Sequence, residues 1–123
     1  MFEGSNIKNV YFASFNTENV TDMSKMFFNC HYLRKIDLSS FNTNKVRNMK
    51  WMFYWCQKLI DIDLSSFDLT KVDNKFEILG LSSFDASNDL KVRDKIKTIK
   101  VNKNSYEEIK KLISTDKANI ITI

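Results

Sequence analysis

Along this chain, apolar and polar residues first alternate, then the apolar ones fall three or four apart, and the change of rhythm recurs. In Leu33-Arg34-Lys35-Ile36-Asp37-Leu38, Ile36 and Leu38 share one side while Lys35 and Asp37 take the other, the period-two pattern of a half-buried strand. From Val46 to Cys56 the apolar positions Val46, Met49, Phe53 and Cys56 form a stripe at helical spacing. A polar turn carrying Phe41 lies between the two. Each block therefore predicts a short strand, a turn with one inward Phe, and a short helix or single-turn segment, since a single turn gives the same pattern.

The block repeats. Phe15, Phe41 and Phe67 are 26 residues apart, as are Val20, Val46 and Val72, and Val10, Ile36 and Ile62. Met23 pairs with Met49, Met26 with Met52, Phe27 with Phe53 and Cys30 with Cys56 at the same interval. A fixed period of this length marks stacked units in a solenoid, because one unit cannot bury its apolar face alone.

The strings Leu33-x-x-Ile36-Asp37-Leu38-Ser39-Ser40-Phe41-Asn42-Thr43 and Val46-x-x-Met49-x-x-Met52-Phe53-x-x-Cys56 resemble the BspA-like leucine-rich repeats of bacterial surface proteins and mycoplasma lipoproteins. Met23-Ser24-Lys25-Met26-Phe27-Phe28-Asn29-Cys30 carries the same block, and the match spans residues 1 to about 84. The resemblance implies an α/β repeat solenoid of right-handed coils about 26 residues long. A parallel sheet would line one face and short helices or turns the other. It also implies a role in surface attachment or host contact, a cell-surface or secreted location, and no chemistry.

The ends depart from the pattern. Met1-Phe2-Glu3-Gly4-Ser5 aligns with Met26-Phe27-Phe28-Asn29-Cys30, so the first unit is partial, either a cap or the start of a longer array cut mid-unit. Lys75 stands where Met49 would recur, and residues 85–95 read as a polar insertion. Ile96 to Val101 restores the strand pattern. Ser105-Tyr106-Glu107-Glu108 reads as a capping box opening a helix with Tyr106, Ile109, Leu112 and Ile113 on one face, and Asn119 to Ile123 reads as a last strand. The expectation is one domain over residues 1–123, closed from residue 96 onward by a strand-helix-strand cap.

Composition changes this picture little. The chain has 123 residues, 43% of them hydrophobic, with no Pro, two Gly and a formal net charge of +4. Its Lys and Arg are scattered, which argues against nucleic acid as a partner. No apolar run approaches the ~20 residues that span a bilayer, and Met1 to Ser5 carries no secretory signal. A missing signal and free thiols favour the alternative of a cytoplasmic protein–protein interaction module.

Candidate chemistry is sparse. Cys30 and Cys56 occupy equal positions in consecutive units, where a disulfide is conceivable, but small buried thiols fill the column equally well and are favoured. His31 is the only histidine and has no neighbours at metal-ligand spacing, so neither a metal nor a catalytic site is expected, nor a cofactor. The outward strand columns, Asn9-Lys35-Asp61-Thr98 and Tyr11-Asp37-Asp63-Lys100, make Tyr11, Lys35, Asp37, Asp61 and Asp63 a candidate concave face, with Asp63 and Lys100 able to pair. The sharpest feature is aromatic. Trp51, Tyr54 and Trp55 point away from the inward stripe of Met49, Met52, Phe53 and Cys56, and Phe28 matches Tyr54 one unit earlier. The family pattern places small or polar residues there. These rings suit a protein partner or host-surface component, a glycan, or a second copy of the chain; alternatively they fold back over neighbouring loops.

Overall fold

The alternating stretches become strands that pair in parallel, each with its equivalent in the next unit. In the computed structural model, which describes residues 1–75, 78–79, 96–112 and 119–122, β1 is Asn9–Tyr11, β2 Lys35–Asp37, β3 Asp61–Leu64, β4 Thr98–Val101 and β5 Asn119–Thr122. They form one parallel sheet in the order β1-β2-β3-β4-β5. The register follows the sequence period: Val10 faces Ile36, Ile36 faces Ile62, and Ile62 faces Ile99. The polar insertion at residues 85–95, with Ile113 and Ile123, lies outside the described residues.

The segments with helical spacing are not helices. From Met23 to Cys30 and from Met49 to Cys56 the chain is a run of tight turns. Met26, Phe28 and Cys30 each donate their amide three residues back, to Met23, Lys25 and Phe27, and Met52, Tyr54 and Cys56 do the same in the next unit. The intervening amides point elsewhere. Met23, Lys25, Phe27 and Asn29 donate to the carbonyls of Asn48, Lys50, Met52 and Tyr54, at 2.8 to 3.0 Å. An α-helix commits every interior amide to the carbonyl four residues back; here half of them tie one unit to the next. Tight turns three and four residues apart still send Met23, Phe27 and Cys30 inward, which is why the hydrophobic stripe imitates a helix.

One core runs the length of the described units. Phe41, Phe67, Leu33, Leu59, Val46, Val72, Met49, Met52, Phe27 and Phe53 are all buried. Equivalent rings stack: Phe27 on Phe53 at 5.5 Å and 2°, Phe15 on Phe41 at 5.7 Å, and Phe41 on Phe67 at 6.3 Å. The first unit differs. Phe2, Ile7, Val10, Phe12, Phe15 and Val20 are only half-buried, although they pack against the core. Phe15, expected to be core, is thus the open end of its column.

Polar side chains bind unit to unit at fixed places. Thr17 and Thr43 are buried. The Thr17 hydroxyl donates to the Asn42 carbonyl and accepts the Asn42 amide, at 3.0 and 2.8 Å. The Thr43 hydroxyl accepts the Asp68 amide at 3.2 Å. The column then meets Leu69, which has no hydroxyl, and Ser105 supplies one from the C-terminal segment. It accepts the Leu69 amide at 2.9 Å and donates to the Phe67 carbonyl at 2.7 Å. Ser105 is thereby turned to these partners and not to the expected capping box. Asn102 caps instead, taking the Ser105 amide at 3.0 Å ahead of a short 3-10 turn, Lys103–Ser105, and helix α1, Tyr106–Leu112. Glu108 turns to Lys75, 3.0 Å away. Ile109 is buried beneath α1 and Tyr106 is half-buried.

Candidate functional site

The outward face of the sheet brings the predicted columns together in register: Lys35 beside Asp61, Asp37 beside Asp63, and Asp63 beside Lys100. Their charges are already engaged. Lys35 pairs with Asp61 at 3.4 Å and Lys100 with Asp63 at 3.7 Å. One carboxylate oxygen of Asp37 accepts the Ser39 amide and hydroxyl, at 2.9 and 2.6 Å, and Asp63 accepts the Ser65 amide at 3.0 Å. Those hydrogen bonds, the Ser39 hydroxyl first, hold the Asp37 carboxyl below its ordinary range. Tyr11, 74% exposed, projects alone at the first strand. The face is a largely self-neutralising surface in which Asp37 and Asp63 close their own turns and Asp61 pairs with Lys35.

The turn face differs. Four rings from two units meet: Phe28 stacks on Tyr54 at 5.7 Å and 9°, Tyr54 on Trp55 at 5.8 Å and 19°, and Trp51 leans on both Phe28 and Tyr54 at 6.4 and 6.1 Å. Phe28, Trp51 and Tyr54 are half-buried, while Trp55 is 47% exposed. The rings therefore cover one another and also front solvent. Two ammonium groups sit over this floor. Lys50 lies 4.0 Å from the Trp51 ring centre, and Lys25 lies 5.3 Å from Trp51 and 5.5 Å from Phe28. Neither lysine was singled out by the spacing argument, although both lie beside the aromatic positions in the repeat.

The backbone beneath these rings is unusual. Gly4, Asn29 and Trp55 occupy the same turn position in successive units, with φ of 69°, 62° and 62°. Glycine and asparagine enter this left-handed region readily; tryptophan does not. Trp51 is held there too, at 57°, one unit on from Lys25 at 54°. For bulky residues such conformations cost on the order of 1–3 kcal/mol each. Each is the third residue of a turn closed by an amide-to-carbonyl bond, Met52 to Met49 and Cys56 to Phe53.

Cys30 and Cys56 are free, buried and stacked in the expected column. They do more than fill space. Cys30 Sγ donates to the Phe2 carbonyl at 3.1 Å and Cys56 Sγ to the Phe27 carbonyl at 3.0 Å, each bridging to the preceding unit. The neighbouring Cys30 thiol, with burial behind it, pushes the Cys56 thiol up and keeps it protonated. His31 sits in the turn before β2, with a buried Nδ1 that has no partner among the described residues. Among the described residues no group of three or more His, Cys, Asp and Glu side chains converges on a metal-sized site. No helix among them is long and apolar enough to cross a membrane.

A family described as "Mycoplasma protein of unknown function, DUF285" matches residues 1–91. The chain belongs to the DUF285 family. The match ends where the third unit's repeat pattern has decayed, so β4, α1 and β5 of this DUF285 protein lie beyond it. No curated protein and no solved structure matches the chain.

Proposed function

We propose that this DUF285 protein is a non-catalytic binding module of a cell surface. Its units would stack as a right-handed solenoid of the BspA-like leucine-rich-repeat kind and present a rigid patch for adhesion or for contact with a host or partner protein. The observation that carries the reading is the cluster of Phe28, Trp51, Tyr54 and Trp55, held on a strained backbone and leaving the Trp55 ring about half exposed. Stacking the units needs only the inward residues. The outward rings lie outside that core, and Trp and Tyr are the commonest anchors of binding surfaces. The parallel sheet and the bonds between equivalent positions of successive units support a stiff scaffold beneath them.

The test uses the purified chain and a variant in which Trp51 and Trp55 are both changed to Asn, the residue that already occupies the left-handed position at Asn29. Fluorescently labelled protein is titrated onto immobilised host cells and extracellular-matrix proteins. Saturable binding by the native chain, reduced at least tenfold in a variant that retains its circular dichroism spectrum, is the expected result. Absence of saturable binding, or binding indifferent to the two substitutions, refutes the reading.

A further inference from the structure

Burial breaks off at the first unit. Val10, Phe12, Phe15 and Val20 are half-buried, whereas their equivalents one unit on, Ile36, Leu38, Phe41 and Val46, are 0 to 3% exposed because the first unit lies over them. Polar bonds between units stop there too. Ser40 and Ser66 each donate a hydroxyl back to the preceding unit, to the carbonyls of Phe12 and Leu38, and the Asn42 amide reaches back to the Thr17 hydroxyl. The equivalent Ser14 hydroxyl and Asn16 amide meet no such partner among the described residues. The sheet is open at the same end, since β1 has β2 on one side and no described strand on the other. The Lys8 carbonyl accepts the Arg34 amide, so strand alternation turns Val10 to β2 as well and leaves the amides and carbonyls of Asn9 and Tyr11 on the open side. We infer that two copies of this chain join at this end across a two-fold axis at Val10, with β1 antiparallel to β1 of the second copy.

That register uses the open groups of the strand. Asn9 falls opposite Tyr11 of the second copy, and the two exchange both amide-to-carbonyl bonds; the axis generates the same pair again on its other side. Val10 meets its own symmetry mate at the close, unbonded position. An axis perpendicular to the sheet keeps the same face inward in both copies, so the half-buried rings of one first unit cover those of the other. Charge permits the contact. Natural edge strands are blunted by charged residues, proline or a bulge. Here β2 carries Lys35 and Asp37 and β3 carries Asp61 and Asp63, whereas the edge strand β1 is uncharged Asn9-Val10-Tyr11. The nearest charge in sequence, Lys8, stands four residues along the strand from its symmetry mate, about 13 Å. That exceeds the screening length of ~8 Å at physiological salt. A two-fold contact is also closed, so association stops at two copies.

The experiment is sedimentation velocity of the purified chain from about 1 to about 200 µM, with circular dichroism of each variant. Asn9→Lys/Tyr11→Lys sets like charges opposite each other at both pairs. Asn9→Asp/Tyr11→Lys sets opposite charges there, and within its own chain each new charge lies beside its opposite, Lys35 or Asp37. The native chain is expected to pass from monomer to dimer with concentration and no further. Asn9→Lys/Tyr11→Lys should weaken the dimer at least tenfold with an unchanged circular dichroism spectrum. Asn9→Asp/Tyr11→Lys should dimerise at least as tightly as the native chain at 50 mM salt and weaken at least fivefold at 500 mM, a loss the native dimer does not show. A monomer across the whole range overturns the inference. Species larger than a dimer, the mark of head-to-tail association, overturn it too, as does a dimer indifferent to both variants. Should Asn9→Lys/Tyr11→Lys fail to fold, the charge-matched variant decides: a salt response no greater than the native chain's overturns the pairing.

Discussion

Replacing Phe41 with Ala tests the stacking account where its demands are greatest. Phe41 is 2% exposed and touches three rings: Phe12 edge-on at 5.0 Å, Phe15 stacked at 5.7 Å and Phe67 stacked at 6.3 Å. Its removal forfeits the transfer energy of a buried ring and leaves a cavity between units that are tied to each other through backbone bonds and so have little freedom to close. Phe→Ala changes of this kind cost about 3–5 kcal/mol. With an unfolding entropy of ~2.1 cal/mol/K per residue, the 123-residue chain loses about 4 °C of Tm per kcal/mol, so the expected drop is roughly 12–19 °C. Phe15→Ala supplies the internal control. Phe15 ends the same column, half-buried and, among the described residues, in ring contact with Phe12 and Phe41 alone, so it should cost roughly half as much. Thermal and urea unfolding followed by circular dichroism measure both. An unchanged Tm for Phe41→Ala refutes the stacked column, and equal losses at the two positions refute the assignment of Phe15 to an open end.

Two other outcomes follow from the same structure. Cys30 and Cys56 should resist a thiol reagent while the chain is folded and both react once it is unfolded in denaturant. A mass two protons short in the non-reduced protein would establish a disulfide instead. Stability should fall as pH drops below about 4, in the range where unfolded carboxylates titrate. Asp22, Asp37 and Asp68 each accept hydrogen bonds, chiefly from Ser24, Ser39 and Thr70, and these lower their folded-state pKa values. A depressed folded pKa means stabilisation that is complete above the unfolded value and is lost as pH falls through the folded one. Tm measured from pH 7 to pH 2 checks this, and a Tm that rises on acidification contradicts it.

The sheet was legible because two signals agreed. Alternation in Lys35-Ile36-Asp37 marked a strand, and the interval to Asp61-Ile62-Asp63 fixed its register with the next, so the pairs across β1, β2 and β3 could be written from the sequence. The insertion before Ile96 was also countable, which gave the pairing of β4 with β3. The turns were not legible as turns. A side-chain stripe reports which residues face inward, and Met23, Phe27 and Cys30 face inward in a helix or in successive tight turns alike. What separates the two is the destination of alternate amides, which side-chain spacing does not encode. The Ser105 capping box failed for a related reason. The motif describes a local exchange, but the Leu69 amide and the Phe67 carbonyl, more than thirty residues away, offered Ser105 a buried partnership that outcompeted it.

The candidate site was half legible, and the missing half carries its physics. That Trp51, Tyr54 and Trp55 turn away from the core followed from their positions between inward residues. That they do so on left-handed backbone did not, because tryptophan is among the last residues one would place there. A signal did exist: Gly4 and Asn29 precede Trp55 in the same column, and both are residues that enter the left-handed region at little cost. Once the bonds between units fix the turn geometry, each unit must adopt it whatever its side chain. A bulky residue at that position is then presented at a fixed angle by the stack as a whole. In an isolated turn, Trp55 would relax into ordinary backbone and lose its orientation. Here relaxation would break the Cys56-to-Phe53 turn bond, 3.2 Å long, and disturb the Asn29-to-Tyr54 bond, 2.8 Å long, that ties neighbouring units together. The repeat therefore lets one unit carry a strained, outward aromatic cluster while its neighbours bear the constraint that keeps it in place.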